Sequence, residues 1–455
     1  MLAGRPRFPI QSRGNPPGAA TPWGIFFGAH MLNEEQLKAV EFLVEASTRQ
    51  SIFNDARPVG LVGWAGTGKT YATAAVIRRL QAENLRVAVL APTHRACGVL
   101  RGELQRLKVF VDVDTVHRGC GLIPCDETGD PIQVAEPTAK RADVVIVDEA
   151  SMVSTALLAE ILKLKGRKIF VGDSYQLPPV GEKEPPAFKG IECARLTETV
   201  RYKKGSVLDE VTDHLRACID DGRHPDVNTI IGCMNFIDGG VRAAADLFSS
   251  SQGDAVVLGY RNETVASVCA RIQGADRYTL LPGEPVVFVG DWAPYMEGED
   301  GKMERVKRAN NGTEATVHSV AGNMVELIFP GGGRMSAPFI PPGKIKHFEN
   351  LKTSVINSKR KSKQHWSDVC RSNQVLRKFA DKGPRDALFE MSQYACIRQT
   401  WASTVHKSQG GSYDRVMIMW DDLVSRRSDP QLFARLLYVA VTRSRNVDQL
   451  FFIRG

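Results

Sequence analysis

A glycine-rich run that ends in a lysine and a threonine follows a short apolar segment, residues 58–62. The run consists of Gly63, Trp64, Ala65, Gly66, Thr67, Gly68, Lys69 and Thr70. Glycines at this spacing let the backbone turn its N–H groups inward around phosphates, and the start of the next helix adds a favourable dipole. Lys69 offers a charge to the β- and γ-phosphates, and Thr70 offers a hydroxyl to Mg²⁺. The run predicts a site for ATP and Mg²⁺; a chance match in a glycine-rich turn is the alternative.

An acidic pair, Asp148 and Glu149, follows a second apolar run at residues 142–147. Such β-branched runs form buried parallel strands, which end at the ligand-binding edge of an α/β sheet. We expect Asp148 to hold Mg²⁺ through water and Glu149 to polarise the attacking water, which indicates hydrolysis. The alternative is that the pair only caps the next helix.

The composition is that of an ordinary soluble protein of two or three domains, with 455 residues and 43% hydrophobic content. No stretch approaches the roughly 18 apolar residues of a membrane helix, so we expect no membrane association. Lys and Arg number 59 against 51 Asp and Glu, a net charge of +8. This modest basic bias is compatible with a polyanionic partner.

The cysteine pattern indicates a reducing compartment, because the nine cysteines form no CxxC pair. A bacterial or phage-infected cytoplasm fits this pattern, as does the nucleus or mitochondrion of a eukaryote. His117, Cys120 and Cys125 form the one cluster that suggests a metal, but it lacks a fourth ligand nearby.

The N-terminal residues 1–30 carry five prolines, Arg5, Arg7 and Arg13, and no acidic residue. This composition predicts a disordered tail. Patterned sequence begins at Met31, so translation from Met31 is one interpretation, and an organelle transit peptide is the other.

Apolar strands and amphipathic helices alternate from residue 32 to about 195, which predicts a parallel sheet wrapped by helices. A second α/β pattern starts at 255–259 and closes at 450–453. A β-rich stretch at about 284–350 interrupts it and predicts an inserted barrel or sheet. Residues 118–141 predict a protruding hairpin, and the basic run 359–363 predicts a solvated face or a phosphate-contacting patch. The strands predicted in the first pattern are 58–62, 86–90, 144–147 and 168–171.

Several further segments fall at predicted strand ends, where such sheets collect functional residues. They are Ala91–Arg95, Gly172–Pro179, Leu196–Arg201, Thr404–Gly410 and Leu437–Arg443. In this order, and together with the two nucleotide motifs, they resemble the superfamily 1 helicases. The resemblance is closest to the 5′ to 3′ RecD/Pif-like branch, particularly the Dda-like bacteriophage helicases, and covers roughly Leu32 to Phe452.

This resemblance implies an α/β fold of two RecA-like P-loop NTPase cores with ATP in the cleft between them. It also implies a β-hairpin insert in the first core and a small SH3-like β module in the second. The implied parts are a tail (1–30), the first core (31–200, hairpin 118–141), the start of the second core (201–283), the inserted module with a helical extension (284–394) and the rest of the second core (395–455).

The resemblance also implies roles for single residues in the nucleotide site. Gln36 corresponds to an adenine-contacting glutamine, Gln176 to a γ-phosphate sensor, and Gly410 lies in a nucleotide-contacting segment. Arg201 and Arg443 correspond to two arginines on the phosphates, and fixed cations there contribute about 10³ to 10⁵ in rate.

The same resemblance implies a path for single-stranded DNA across the tops of both cores. His94 and His117 are core or cap histidines in the alternative interpretation. The residues implied to contact the strand are Pro92, Thr93, His94, Thr115, His117, Asn311, Thr404, His406 and Lys407.

One departure from the Dda-like helicases concerns the hairpin. Theirs carries an aromatic residue at the wedge that splits the strands, whereas residues 118–141 here contain none. Ile132 or Leu122 would be a smaller apolar wedge, so the sequence supports translocation more strongly than unwinding. Trp366 is either a DNA contact or a buried core residue.

The sequence therefore predicts a monomeric ATP-dependent DNA helicase that moves 5′ to 3′ in replication, recombination or repair. Its expected partners are single-stranded DNA, duplex junctions and single-strand-binding or replication proteins. The alternatives are a translocase, an RNA helicase and a non-catalytic scaffold.

Overall fold

The computed structural model describes residues 26–27, 30–48, 57–124, 131–133, 135–251, 254–273, 280–290, 292–297, 303–306, 308–309, 313–329, 333–358, 363–372 and 376–455. Most of the predicted tail, Cys125, Asn311 and most of the 359–363 run lie outside these ranges. Phe26–Phe27 pairs with His30–Met31, so the prediction of a disordered tail is wrong for these residues. Met31 as a translation start stays a prediction.

The helices are α1 (Glu34–Thr48), α2 (Lys69–Ala82), α3 (His94–Arg106), α4 (Val116–Gly119), α5 (Thr155–Lys163), α6 (Val207–Asp221), α7 (Val227–Cys233), α8 (Gly240–Ser249), α9 (Asn262–Gln273), α10 (Ile345–Ser358), α11 (Lys363–Ser372), α12 (Pro384–Ser392), α13 (Trp420–Val424) and α14 (Pro430–Val441). The strands are β1 (Phe26–Phe27), β2 (His30–Met31), β3 (Val59–Gly63), β4 (Val87–Ala91), β5 (Val113–Thr115), β6 (Leu122–Pro124), β7 (Pro131–Gln133), β8 (Val144–Val147), β9 (Arg167–Gly172), β10 (Glu192–Leu196), β11 (Asn235–Asp238), β12 (Ala255–Gly259), β13 (Pro285–Phe288), β14 (Tyr295–Glu297), β15 (Met303–Arg305), β16 (Glu314–Ala321), β17 (Met324–Ile328), β18 (Arg334–Ile340), β19 (Ala395–Gln399), β20 (Ala402–Thr404), β21 (Arg415–Met419) and β22 (Leu450–Arg454).

The first core contains a parallel sheet in the order β10-β3-β9-β8-β4-β5. Strand β8 is buried along its whole length, as expected for a β-branched run covered on both faces. All strands run in one direction, so their carboxyl ends meet at one edge. That edge holds the glycine-rich loop after β3 and the acidic pair after β8.

The second core contains a parallel sheet in the order β11-β22-β21-β12-β20. Helices α6 and α14 pack against each other, and every residue from Phe433 to Val441 in α14 is buried. Ala65 and Leu177 of the first core join the hydrophobic cluster around α14, so apolar packing connects the two cores. The predicted α/β fold with two cores is confirmed.

The insert forms a closed barrel in the order β13-β16-β17-β18-β19. Its last strand is β19, which pairs with Val286–Phe288 and Phe339–Ile340. The sequence had assigned the residues of β19 to the second core. The barrel therefore extends beyond residue 394.

Helices α10, α11 and α12 form a separate apolar cluster beside the barrel. Trp366 lies inside it, 5% exposed, and its indole N–H donates to the Phe379 carbonyl (3.1 Å). Trp366 is thus a core residue, and its alternative role as a DNA contact is wrong. Among the described helices, none is long and apolar enough to cross a bilayer.

Candidate active site and nucleic-acid channel

The loop between β3 and α2 turns through two glycines in the left-handed region, Gly66 (φ +82°) and Gly68 (φ +79°). A Cβ on Gly66 would lie 2.5 Å from Cβ of Arg201, and one on Gly68 would lie 2.4 Å from Nε2 of Gln36. Both positions therefore need glycine for the turn and for the close approach. Lys69 Nζ donates to the carbonyls of Gly63 (2.7 Å) and Trp64 (2.9 Å).

Gln36 connects the start of α1 to this loop. Its backbone N–H donates to Oδ1 of Asn33 (2.9 Å), and the Asn33 N–H donates back to Oε1 of Gln36 (3.1 Å), which forms a reciprocal cap. Nε2 of Gln36 donates to the Thr67 carbonyl (3.0 Å). Gln36 thus holds the loop in place, and its contact with adenine stays a prediction.

The acidic pair lies where β8 ends. Burial raises the pKa of Asp148 to about 7, and the negative charge of Glu149 adds to this effect. Glu149 is one of three described non-glycine residues with positive φ (+49°). Its Oε2 atom is buried without a hydrogen-bond partner. An unpartnered buried carboxylate oxygen fits a site that receives a cation or a water molecule.

Arg443 reaches the same site from the second core, just after α14, and is 4% exposed. Its Nη1 donates to the Gly411 carbonyl (2.8 Å) and its Nε to the Val439 carbonyl (3.0 Å). Burial lowers the pKa of Arg443. Arg201 follows the first core's last strand, and its Nη1 donates to the Thr442 carbonyl (3.2 Å).

These side chains line one cavity of about 630 Å³ between the two cores, which we call the phosphate-loop pocket. The first core contributes the loop and the acidic pair, and the second core contributes Arg443. The predicted nucleotide-site residues that it brings together are Ala65, Gly66, Gly68, Lys69, Thr70, Asp148, Glu149, Gln176, Arg201, Gly410 and Arg443. Gln36, Gly63, Trp64 and Thr67 lie in or against the loop without lining the cavity.

Sequence reasoning missed the contacts that join the two cores beneath this pocket. The Ala65 N–H donates to the hydroxyl of Tyr438 (3.2 Å), which itself donates to Oδ2 of Asp173 (2.8 Å). Nε2 of Gln409 donates to Oε1 of Gln176 (3.3 Å). Tyr438 and Gln409 lie inside two recognised segments, but no spacing rule indicates their partners.

The Trp64 ring of the glycine-rich loop lies under a guanidinium of the second core. The Cζ atom of Arg216 on α6 is 3.7 Å from the ring centroid, within the range of a cation–π contact. Sequence reasoning missed Arg216 as well, since a helical arginine gives no signal of this kind.

A second cavity, of about 590 Å³, lies between the two cores and the barrel; we call it the channel. Four of the residues predicted to contact DNA line it, Thr93, His94, His406 and Lys407, and their contact with DNA stays a prediction. Thr404 lines an adjoining cavity of about 930 Å³ that shares His406 and Lys407. Pro92, Thr115 and His117 line neither cavity.

The three predicted threonines have local structural roles in the described chain. Oγ1 of Thr93 accepts from the Ala96 N–H (3.1 Å), and Oγ1 of Thr115 accepts from the Arg118 N–H (3.2 Å). Both threonines are therefore helix N-caps, a structural role that needs no contact with DNA. Oγ1 of Thr404 accepts from the Lys407 N–H (3.4 Å).

The basic and imidazole groups of the channel are partly desolvated. Burial lowers the pKa of His406, and burial together with the charge of Arg398 lowers the pKa of Lys407. Arg398 and Thr400, on and just after β19, also line the channel, and sequence reasoning missed both. Tyr260, whose ring centroid lies 5.9 Å from that of His406, was missed too.

His117 lies outside this arrangement, and burial lowers its pKa. Within the described residues, no three His, Cys, Asp or Glu side chains gather into a metal-binding group. Cys120 is buried, which raises the pKa of its thiol to about 11.

The hairpin formed by β6 and β7 pairs Leu122 with Gln133. Leu122 is 5% exposed and belongs to a hydrophobic cluster of the first core, so the prediction that it is an apolar wedge is wrong. The side chain of Ile132 lies outside the described part of the chain.

Two family models match this chain. One, described as "AAA domain", matches residues 31–225, and the other, described as "UvrD-like helicase C-terminal domain", matches residues 399–446. The two matches cover the phosphate-loop core and the segment that carries Gly410 and Arg443. Over these residues the chain is similar to helicase proteins, in agreement with the resemblance to the RecD/Pif-like branch of superfamily 1. The narrower Dda-like assignment stays a prediction.

Curated relatives are similar to part of this chain. The chain is 36% identical over 127 residues to the ATP-dependent RecD2 DNA helicase of Deinococcus radiodurans, which covers 27% of this chain and 16% of that protein. It is 28% identical over 187 residues to the DNA replication ATP-dependent helicase/nuclease DNA2 of Saccharomyces cerevisiae, which covers 35% and 12%. A third relative, a protein of Acanthamoeba polyphaga mimivirus, is 29% identical over 172 residues, which cover 33% of its length. The chain therefore spans a third or less of the length of these three relatives.

The fold resembles that of the Pif1 helicase from Bacteroides in complex with ADP-AlF3 and ssDNA. The TM-score is 0.52 at 16% identity, and the match covers 93% of this chain and 92% of that one. Identity this low shows the shared fold alone.

Proposed function

We propose that this protein is an ATP-dependent DNA helicase that moves 5′ to 3′ along single-stranded DNA. One observation carries the proposal: a single segment of the second core, residues 404–411, joins the two cavities. Gly410 and Gly411 line the phosphate-loop pocket, while His406 and Lys407 line the channel. A change at the nucleotide in the phosphate-loop pocket would therefore reach the channel through this short segment.

The residues of the phosphate-loop pocket fit ATP and Mg²⁺. Gly66 and Gly68 turn the loop beside the pocket, Lys69 and Thr70 begin the helix behind it, and Glu149, which has an unpartnered carboxylate oxygen, lines the same space. Lys69 would hold the phosphates, and Thr70 and Asp148 the metal, which would neutralise phosphate charge. Glu149 would accept a hydrogen bond from the attacking water.

The arginines of the pocket make hydrolysis depend on the relative position of the two cores. Arg201 packs against Gly66 of the loop and donates to the Thr442 carbonyl, while Arg443 comes from the second core, so both arginines would touch the phosphates only when the cores are close. Closure and reopening of this cleft would be the step that moves the strand.

The channel suits a strand held without regard to sequence. Arg398 and Lys407 offer charges to phosphates, and the rings of His406 and Tyr260 offer faces for bases. We extend the proposal to duplex junctions and single-strand-binding or replication proteins as partners, to a monomer, and to replication, recombination or repair in the compartments named above.

A translocase that does not separate duplex is the second candidate. The burial of Leu122 favours it, because one of the two wedge residues that the sequence offered is not exposed. Unstacking costs about 1.4 kcal/mol per base-pair step, so the motor would have to separate strands by pulling.

Strand displacement tests both candidates. The substrates are a short duplex with a 5′ tail and the same duplex with a 3′ tail, incubated with ATP and Mg²⁺. Lys69→Ala controls for ATP binding, and Glu149→Gln should bind ATP without turnover. Displacement from the 5′ tail only supports the helicase; single-stranded DNA that stimulates hydrolysis with no displacement supports the translocase. Turnover retained in Glu149→Gln would contradict the site.

A further inference from the structure

Arg95 occupies the wall that separates the phosphate-loop pocket from the channel. It is the second residue of α3 and follows His94, and it lines both cavities. Its Nε atom lies 3.2 Å from Oε1 of Glu314, the first residue of β16 in the barrel. A side chain of the first core thereby forms an ion pair with the barrel.

The same guanidinium contacts the second core. It donates a hydrogen bond to the hydroxyl of Tyr413, and its Cζ atom lies 5.4 Å from the centre of that ring. Tyr413 is 6% exposed. A Cβ on Gly411 would lie 3.0 Å from Nη2 of Arg95 and 3.2 Å from the Tyr413 hydroxyl, so a side chain there would press on this contact. Arg95 of the first core thus contacts both the barrel, at Glu314, and the second core, at Tyr413.

The backbone of Tyr413 is tied directly to Arg443. The Tyr413 N–H donates to the Arg443 carbonyl (2.8 Å), and the Arg445 N–H donates to the Tyr413 carbonyl (2.9 Å). Arg443 in turn donates to the Gly411 carbonyl (2.8 Å). A short series of contacts therefore leads from Glu314 on the barrel through Arg95 and Tyr413 to the arginine of the pocket.

We propose that Arg95 is a positioning residue that couples occupancy of the channel to the placement of Arg443. A strand that moves the barrel relative to the first core shifts Glu314 against Arg95, and the planar guanidinium transmits that shift to Tyr413. Lysine has a single ammonium group and cannot hold both partners in this fixed geometry. The inference rests on the proposed function, because it requires that a strand occupy the channel.

The test measures coupling at equilibrium, without hydrolysis. Fluorescence anisotropy gives the affinity for labelled oligo(dT) with and without AMP-PNP and Mg²⁺, and the ratio of the two affinities is the coupling factor. Arg95→Lys and Tyr413→Phe should each bring this factor closer to one, by about 2- to 30-fold. Glu314→Gln should do the same, and Glu314→Gln combined with Arg95→Lys should lose no more than either alone.

Arg101→Lys is the matched control, since Arg101 lies on the same helix and donates instead to the Val113 carbonyl (2.7 Å). It should keep the wild-type coupling factor. Melting curves of every variant show whether it is folded. If Arg95→Lys or Glu314→Gln melts early, the test depends on Tyr413→Phe, which removes only a hydroxyl.

The outcomes separate the two proposals. A wild-type protein whose ATPase ignores single-stranded DNA and whose coupling factor is one overturns the proposed function, and this inference with it. Wild-type coupling that persists in Arg95→Lys and Tyr413→Phe overturns the inference alone. So does an equal loss of DNA affinity with and without AMP-PNP, which would make Arg95 a simple DNA contact.

Discussion

Glu149 has a backbone conformation that few non-glycine residues adopt, with φ at +49°. Such strain costs about 1 to 3 kcal/mol and persists only where the surrounding structure enforces it. Here it places the carboxylate near the second core, with Oε1 3.6 Å from where a Cβ on Gly410 would lie. The strained residue is thus the one whose carboxylate lies close to both cores.

Asp148 should make the stability of the ligand-free protein depend on pH. Burial, with the charge of Glu149 beside it, raises its pKa from the usual 3.8 to about 7, although Lys69 acts in the opposite direction. Between these values the folded state keeps a proton that the unfolded state has released, so stability falls as pH rises through that window and reaches its lower level above pH 7.

Asp148→Asn removes this titration. In EDTA and without nucleotide, its free energy of unfolding relative to wild type should increase by about 1 to 3 kcal/mol between pH 5 and pH 8. Urea unfolding at the two pH values measures the change. Asp143→Asn is the control: Arg86 holds the pKa of Asp143 at about 2, below the range tested, so its effect should not vary. An equal effect of Asp148→Asn at both pH values would contradict the burial argument.

The elements that carry the site differ in how far the sequence could predict them. The strands 144–147 and 255–259 are found as predicted, and 58–62 is shifted by one residue, because apolar runs before a glycine or an acid give a strong local signal. Leu122 and β19 were misassigned, since burial and barrel closure depend on distant partners. The bond between Ala65 and Tyr438 joins residues 373 positions apart, and nothing local indicates it.

The turn between β3 and α2 gives an element-scale prediction. Gly66→Ala puts a Cβ at φ +82°, 2.5 Å from Arg201. The left-handed conformation alone costs about 1 to 2 kcal/mol, so the loop should change shape and nucleotide binding should be lost. Titration with a fluorescent ATP analogue and urea unfolding measure the two effects.

Gly98→Ala is the matched control for this substitution. Gly98 lies within α3, and a Cβ there would have nothing within 4 Å. The alanine should stabilise the protein by about 0.5 to 1 kcal/mol and leave nucleotide binding unchanged. Nucleotide binding of wild-type strength in Gly66→Ala would show that the loop tolerates a side chain.

At the scale of the whole molecule, the proposed motor step requires that the two cores and the barrel move relative to one another. Polar contacts between the cores lie both at the phosphate-loop pocket, where Tyr438 contacts Ala65, and away from it, where Arg435 donates to the Ser174 carbonyl. The barrel is continuous with the second core, because β19 leads directly into β20. If the proposed function holds, a strand in the channel would lie between the barrel and the second core on one side and the first core on the other.

This arrangement predicts how DNA affinity responds to salt. Each phosphate neutralised on a single strand contributes about −0.7 to the slope of log affinity against log salt. Arg398 and Lys407 line the channel from the barrel and the second core, so Arg398→Ala with Lys407→Ala should make the slope shallower by about 1.4. Arg242→Ala, at an exposed arginine of α8 paired with Asp246, should leave it unchanged. Anisotropy titrations with oligo(dT) across a salt series measure both. An unchanged slope in the double variant would mean that the strand lies elsewhere. Only side chains that neutralise phosphates release counterions from the DNA on binding and so contribute to the slope.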